Sequence, residues 1–89
     1  MARRVAFTAL AWDNYLFWQL QDRKIVLRIN ELIRECQRDP FSGIGKPEAL
    51  KRDLSGCWSR RIDQAHRLVY RVDSEKIEIL SCRHHYGDR

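Results

Sequence analysis

The chain predicts an α+β fold, β-α-α-β-β-β, in which an antiparallel sheet carries two helices packed on one face. Three observations lead there. Apolar residues recur at helical spacing between about 9 and 38, and after Ser55-Gly56 the pattern changes to period two. The turns within the C-terminal third are a few residues long, too short for a crossover helix, so the strands they join are antiparallel neighbours. At 89 residues the length allows one domain, spanning 1–89.

The elements follow in order. Arg3 to Phe7 alternates, with Val5 and Phe7 apolar, and reads as a short strand. Thr8 is suited to cap a helix over about 9–21, because its hydroxyl accepts from a first-turn N–H. There Trp12, Tyr15, Leu16 and Leu20 fall at helical spacing, and Trp12 and Trp18 read as core. Asp22 interrupts. A second helix over about 23–38 puts Ile25, Ile29, Leu32, Ile33 and Cys36 on one face and Arg28, Arg34, Glu35 and Arg38 away from it. Asp39-Pro40 ends it, since the residue before proline avoids the helical region. FSGIGKPEAL is a loop, with one helical turn expected at Pro47–Lys51 because proline suits the first helical position. Strands follow at 57–63, 66–72 and 76–84. In the middle one, Leu68, Tyr70 and Val72 share a face, and Arg67, Val69 and Arg71 the other. With both helices on one side, the opposite sheet face is free to be polar and basic.

The charge is uneven. The whole chain carries 17 basic and 12 acidic side chains, +5 net. Residues 41–71 alone hold seven basic groups (Lys46, Lys51, Arg52, Arg60, Arg61, Arg67, Arg71) against three acidic ones. A phosphate-rich partner is the natural reading of such a field, against the plainer one of solubility. No apolar run approaches the roughly 18–20 residues that span a bilayer, and the N-terminal pattern is helix-like, so neither a membrane segment nor a signal peptide is expected. Cys36, Cys57 and Cys82 are odd in number and form no CxxC pair. They suit reduced thiols in the cytoplasm better than disulfides or a zinc site.

Three groups of residues bear on chemistry. Glu48 lies among Lys46, Lys51 and Arg52. Arg61 and Arg67 flank a tight turn, and each falls on the basic face if the pleat is regular. Arg83-His84-His85-Tyr86 closes the last strand. RNA cleavage needs these types: a base for the 2′-hydroxyl proton, guanidiniums for the phosphate as charge builds, and an acid for the departing 5′-oxygen. Histidine is the ordinary acid near neutral pH. No metal or other cofactor is required, and no acidic cluster suits Mg²⁺. Singly, each residue has a plainer reading as surface or structural. His66, in a turn, reads as structural, and Trp58 as core in preference to a base-stacking platform. Cys82 with two adjacent histidines makes a poor metal site.

Together the residues carry a resemblance. The stretches AWDNYLFW (11–18), INELIREC (29–36), PFSGIGKPEALK (40–51), LSGCWSRRI (54–62), HRLVY (66–70) and CRHHY (82–86) resemble the YoeB/Txe toxins of the RelE-like superfamily, in order and at family spacing. The resemblance implies a microbial-ribonuclease-like fold and a ribosome-dependent mRNA endonuclease that cuts message in the decoding site. It implies Glu48 as general base, Arg67 as transition-state stabiliser, His85 as general acid with Tyr86 beside it, and Lys51 and Arg61 on the phosphate. It also implies a YefM-like antitoxin laid over the basic site, contact with operator DNA through that antitoxin, the ribosome as platform, and homodimers. The chain departs from the family pattern at Ala65, where glutamate is common before HRLVY. Other departures are His84 at a usually aromatic position, Cys57 for a frequent aromatic, and the Gly87-Asp88-Arg89 extension. Two other classes compete: an inactive module that blocks the ribosome or acts only as co-repressor, and a relative of the same fold that poisons DNA gyrase. The complete Glu48, Arg67, His85 and Tyr86 set argues against both.

Overall fold

Thr8 shows how closely local chemistry and topology are joined. Its side-chain oxygen accepts from Ala11 N at 3.1 Å, capping the first helix, and donates to Leu80 O at 3.0 Å in the last strand. In the computed structural model, which describes residues 2–84, the order is β1 (Arg4–Phe7), α1 (Ala9–Gln21), α2 (Arg23–Arg38), β2 (Glu48–Ala49), a 3-10 turn (Arg52–Leu54), β3 (Cys57–Arg61), β4 (Arg67–Val72) and β5 (Lys76–Ser81). The sheet order is β1-β5-β4-β3-β2. The pairs β3–β4 and β4–β5 are antiparallel, as their short connections require. The first strand instead joins β5 in parallel, Arg4 opposite Lys76 through Phe7 opposite Ile79, so the sheet is mixed. The two helices between β1 and the rest of the sheet permit that crossover.

Both helices lie where the spacing puts them, but they bury their faces differently. Asp22 breaks the chain between them and accepts from Lys24 N and Ile25 N to start α2. The second helix buries Ile25, Ile29, Leu32, Ile33 and Cys36, the stripe read from its period. The first buries Ala11, Asn14 and Trp18. Trp12, expected in the core, is 48 % exposed and stands at the surface beside Phe7 and Tyr15. Leu16 and Leu20 are exposed as well. The reason is a polar anchor: Asn14 Oδ1 accepts from Cys82 N at 3.0 Å, and Trp18 Nε1 donates to Cys82 O at 2.9 Å. Buried backbone groups need partners, and satisfying these two turns the Asn14–Trp18 side inward. A bulge in β5 between Ile79 and Ser81 then sends Cys82 into the helix-side core.

The main core sits between helices and sheet, with Leu68, Tyr70, Ile77 and Ile79 fully buried beneath Ile29 and Leu32. Trp58 packs against this core and against Phe41, at 4.9 Å between ring centroids, in keeping with a core role. The opposite sheet face is not wholly polar. Leu50 and Leu54 fold across Cys57, Val69 and Leu80, forming a small second cluster over part of it. The three cysteines are free and buried, and burial pushes the Cys82 thiol up to about 12. Among the described residues no helix is long and apolar enough to cross a membrane.

Arg60 belongs by charge to the basic field, and the fold uses it otherwise. Its even position turns it to the helix side, where it is fully buried. There it donates to Asp39 O (2.6 Å), Ser42 O (2.8 Å), Ile44 O (2.8 Å) and the Tyr70 hydroxyl (3.1 Å). Burial pushes the Tyr70 phenol well above its usual range, so the hydroxyl keeps its proton and donates to Pro40 O at 2.7 Å. The loop between α2 and β2 is thereby held from beneath. Gly45 lets it come close. Its φ is +82°, and a Cβ there would lie 2.8 Å from Leu32 Cδ2.

Asp39 secures the same loop from outside. Its carboxylate accepts from Ser42 Oγ at 2.6 Å and Phe41 N at 3.0 Å, and these bonds, Ser42 first, hold the carboxyl below its ordinary value. A depressed folded-state pKa contributes stability above the unfolded value of about 3.9 that is lost as pH falls through the folded one. Urea unfolding should therefore find Asp39→Ala less stable than the parent at pH 7, with the gap closing below about pH 4. A gap independent of pH would remove the carboxylate from the account.

Candidate active site

The helical turn expected at Pro47–Lys51 is instead a two-residue strand, Glu48–Ala49. Pairing overrides proline's preference. Leu50 N donates to Cys57 O at 2.9 Å, setting Glu48 opposite Ser59 and Ala49 opposite Trp58, and the helical turn moves to Arg52–Leu54. That register decides the site. Glu48 on β2 and Ser59 on β3 are directly paired, with Val69 on β4 next in the row. Arg67 lies two residues from Val69, on the same face.

These three polar side chains meet. Arg67 Nε donates to Ser59 Oγ at 3.0 Å, and Arg67 Nη2 donates to Glu48 Oε1 at 3.2 Å. The guanidinium side chain is 9 % exposed and the Glu48 side chain 54 %. The arginine is therefore fixed from below while the carboxylate stays open to solvent. A buried cation is tolerated only when hydrogen-bonded and paired, and Ser59, which is fully buried, supplies part of that support. Ser59 has no chemical signature of its own in the sequence; its one signal is alternation with Arg61 in the same strand, which puts both on the face of Glu48. Ser59 and Glu48 together hold the Arg67 guanidinium from two sides.

Arg61 stands opposite Arg67 in the β3–β4 register and is exposed. Its backbone is fixed, with Arg61 N donating to Gly45 O at 2.7 Å. Lys51 is exposed on the segment leaving β2, just before the 3-10 turn. Among the described residues it makes no hydrogen bond or ion pair to Glu48 or Arg67. His85 and Tyr86 fall outside the described residues, as does the Gly87-Asp88-Arg89 extension. The last described residue, His84, lies against this site: its carbonyl accepts from Arg67 N at 3.1 Å. Elsewhere on the basic stretch, Arg71 is engaged with Glu78 at 2.6 Å, and that bond raises its pKa further. No group of three or more His, Cys, Asp or Glu side chains suited to a metal occurs among the described residues.

Comparison with known proteins adds an independent line. The family model described as YoeB-like toxin of bacterial type II toxin-antitoxin system matches residues 7–86. A relative named Toxin YoeB from Streptomyces coelicolor is 53 % identical over 83 residues, 93 % of this chain and 99 % of its own. The fold is also that of a YoeB dimer from Staphylococcus aureus, at a TM-score of 0.90 and 45 % identity, covering 97 % of this chain and 100 % of that one. The same organism's heterotetrameric YoeB-YefM toxin-antitoxin complex gives 0.87 and 45 %, with the same coverage. The motif stretches, the sheet register and these matches agree over nearly the whole chain, which belongs to the YoeB-like toxins of bacterial type II toxin-antitoxin systems.

Proposed function

We propose that this toxin is a ribosome-dependent endoribonuclease that cuts mRNA in the decoding site and so stops translation. The observation that carries the reading is the Arg67 guanidinium, seated on Ser59 at 3.0 Å and within 3.2 Å of the open carboxylate of Glu48. A base beside a phosphate-stabilising cation is what attack by a 2′-hydroxyl requires.

Glu48 takes the proton of the 2′-hydroxyl, whose oxygen attacks the adjacent phosphorus. Arg67 holds the non-bridging oxygens as negative charge builds on them. His85 gives its proton to the departing 5′-oxygen, with Tyr86 beside it. The products are a 2′,3′-cyclic phosphate and a free 5′-hydroxyl. Arg61 and Lys51 bind the flanking backbone. Two arginines directly opposite across β3 and β4 repel, and a phosphate between them removes that cost. The rest of the basic field serves docking on ribosomal RNA.

A YefM-like antitoxin is the inhibiting partner. The Staphylococcus aureus relative forms such a complex, and an acidic, apolar segment fits a basic face bordered by Leu50 and Leu54. Operator DNA is reached through that antitoxin, the free toxin pairs as a homodimer, and the complex works in the cytoplasm.

Primer extension on programmed ribosomes tests the reading, with ribosome-free mRNA as control. New mRNA 5′ ends are expected only with ribosomes. Glu48→Ala and His85→Ala should each lower the rate by about 10²–10⁴-fold, the usual worth of a general base or acid. Translation arrest without new 5′ ends would instead identify an interaction module that occludes the ribosome.

A further inference from the structure

By its place in a turn, His66 is expected to be structural. The structure gives it a more particular position. His84 N donates to His66 Nδ1 at 2.7 Å, while His84 O accepts from Arg67 N at 3.1 Å. Both backbone polar groups of His84 are thus held by two consecutive residues, 66 and 67. An accepting Nδ1 bears no proton, so the neutral ring carries its proton on Nε2.

His84 needs such holding. Its φ is +68°, in the left-handed region, where a residue other than glycine is disfavoured by about 1–2 kcal/mol. Conformations of this kind persist where the surroundings over-determine them, and they concentrate at functional sites. The His66 ring is itself fixed. Its centroid lies 4.8 Å from that of Trp18, edge to face at 80°, and His66 N donates to Asp63 Oδ1 at 2.8 Å. Trp18 also holds Cys82 O, and Arg83 lies over the Phe17 ring at 3.5 Å from its centroid. The stretch Cys82–His84 is therefore anchored at each residue. Among the described residues, the only anchor on the His84 N–H is the imidazole of His66.

We propose that His66 is a positioning residue for cleavage: through Nδ1 it fixes His84, the covalent neighbour of His85, in register with Arg67. The inference rests on the ribonuclease reading above and deepens it. The strand entry that places the phosphate-stabilising guanidinium, at residue 67, would by its preceding side chain also set the origin of the segment that supplies the acid.

Two substitutions separate this role from plain packing. Asparagine puts Oδ1 where histidine has Nδ1, keeping the acceptor and giving up the ring contact with Trp18. Phenylalanine keeps the ring and gives up the acceptor. On programmed ribosomes His66→Asn should cleave within about threefold of the parent. His66→Phe should lose about 10–100-fold in kcat with little change in KM, the scale expected when a reacting group is misplaced by about 1 Å. Amide hydrogen exchange at His84 reads the clamp directly: slow in the parent and in His66→Asn, fast in His66→Phe. A packing role reverses the order of the two variants, and that reversal, or full activity with slow exchange in His66→Phe, overturns the proposal. A parent protein that leaves ribosome-bound mRNA intact removes the ribonuclease reading itself. An active parent with an unaffected His66→Phe removes only the positioning role.

Discussion

Replacing Arg67 with alanine is expected to slow mRNA cleavage on programmed ribosomes by about 10²–10³-fold, the usual cost of deleting a donor aimed at developing negative charge. The loss should fall on kcat more than on KM, because the charge it stabilises is greatest in the transition state. Arg67→Lys should restore little. A lysine keeps the charge but cannot donate in a planar fork to Ser59 and Glu48 at once. The substitution also leaves the fully buried Ser59 hydroxyl without its donor, so stability has to be followed beside activity. Urea unfolding of both variants separates the two effects. A kcat near that of the parent in a folded Arg67→Ala protein would exclude the guanidinium from catalysis.

The second large effect is on stability and comes from Arg60. Arg60→Met keeps most of the side-chain volume but strands the three loop carbonyls that the guanidinium now satisfies, while the Tyr70 hydroxyl keeps only its bond to Pro40 O. A buried polar group left unsatisfied costs about 1–3 kcal/mol, so three carbonyls lost together come to at least about 3 kcal/mol. In a domain of this size each kcal/mol is worth about 4–8 °C in Tm, so the melting temperature should fall by more than about 10 °C. Hydrogen exchange should quicken first in residues 39–46, the loop that leads to Glu48. Cleavage is expected to fall as well, since Glu48 takes its place from that loop and from the Ser59 pairing. A Tm within about 2 °C of the parent would show that water satisfies the loop as well as Arg60 does.

The two neighbouring arginines of the SRR sequence explain why some of the site was legible and some was not. Alternation along a strand shows that residues 60 and 61 point to opposite faces, but it does not say which face the helices cover. Charge made both look like surface residues. The fold sends Arg60 into the interior, where it meets carbonyls of a loop about 20 residues earlier in the chain, and leaves Arg61 exposed. The same ambiguity acted on α1. Helical spacing found the helix, yet the side that turned inward was chosen by Asn14 and Trp18 binding the backbone of Cys82, some 64–68 residues away. Trp12 was left outside as a result. In α2, where one face is continuously apolar and the other charged, spacing alone was enough.

The sequence by itself determined the helix limits, the cap at Thr8, the break at Asp22, the antiparallel C-terminal strands and the candidacy of Glu48 and Arg67. Each of these is fixed by interactions a few residues apart, or by motif stretches that match a known family. Only the tertiary structure decided that Glu48 lies in an edge strand, that Ser59 and Glu48 aim Arg67, that Arg60 clasps the loop, and that His66 holds His84. Those outcomes depend on strand register and on polar groups finding partners far along the chain. Such pairings are settled by which backbone and side-chain groups would otherwise be buried unsatisfied.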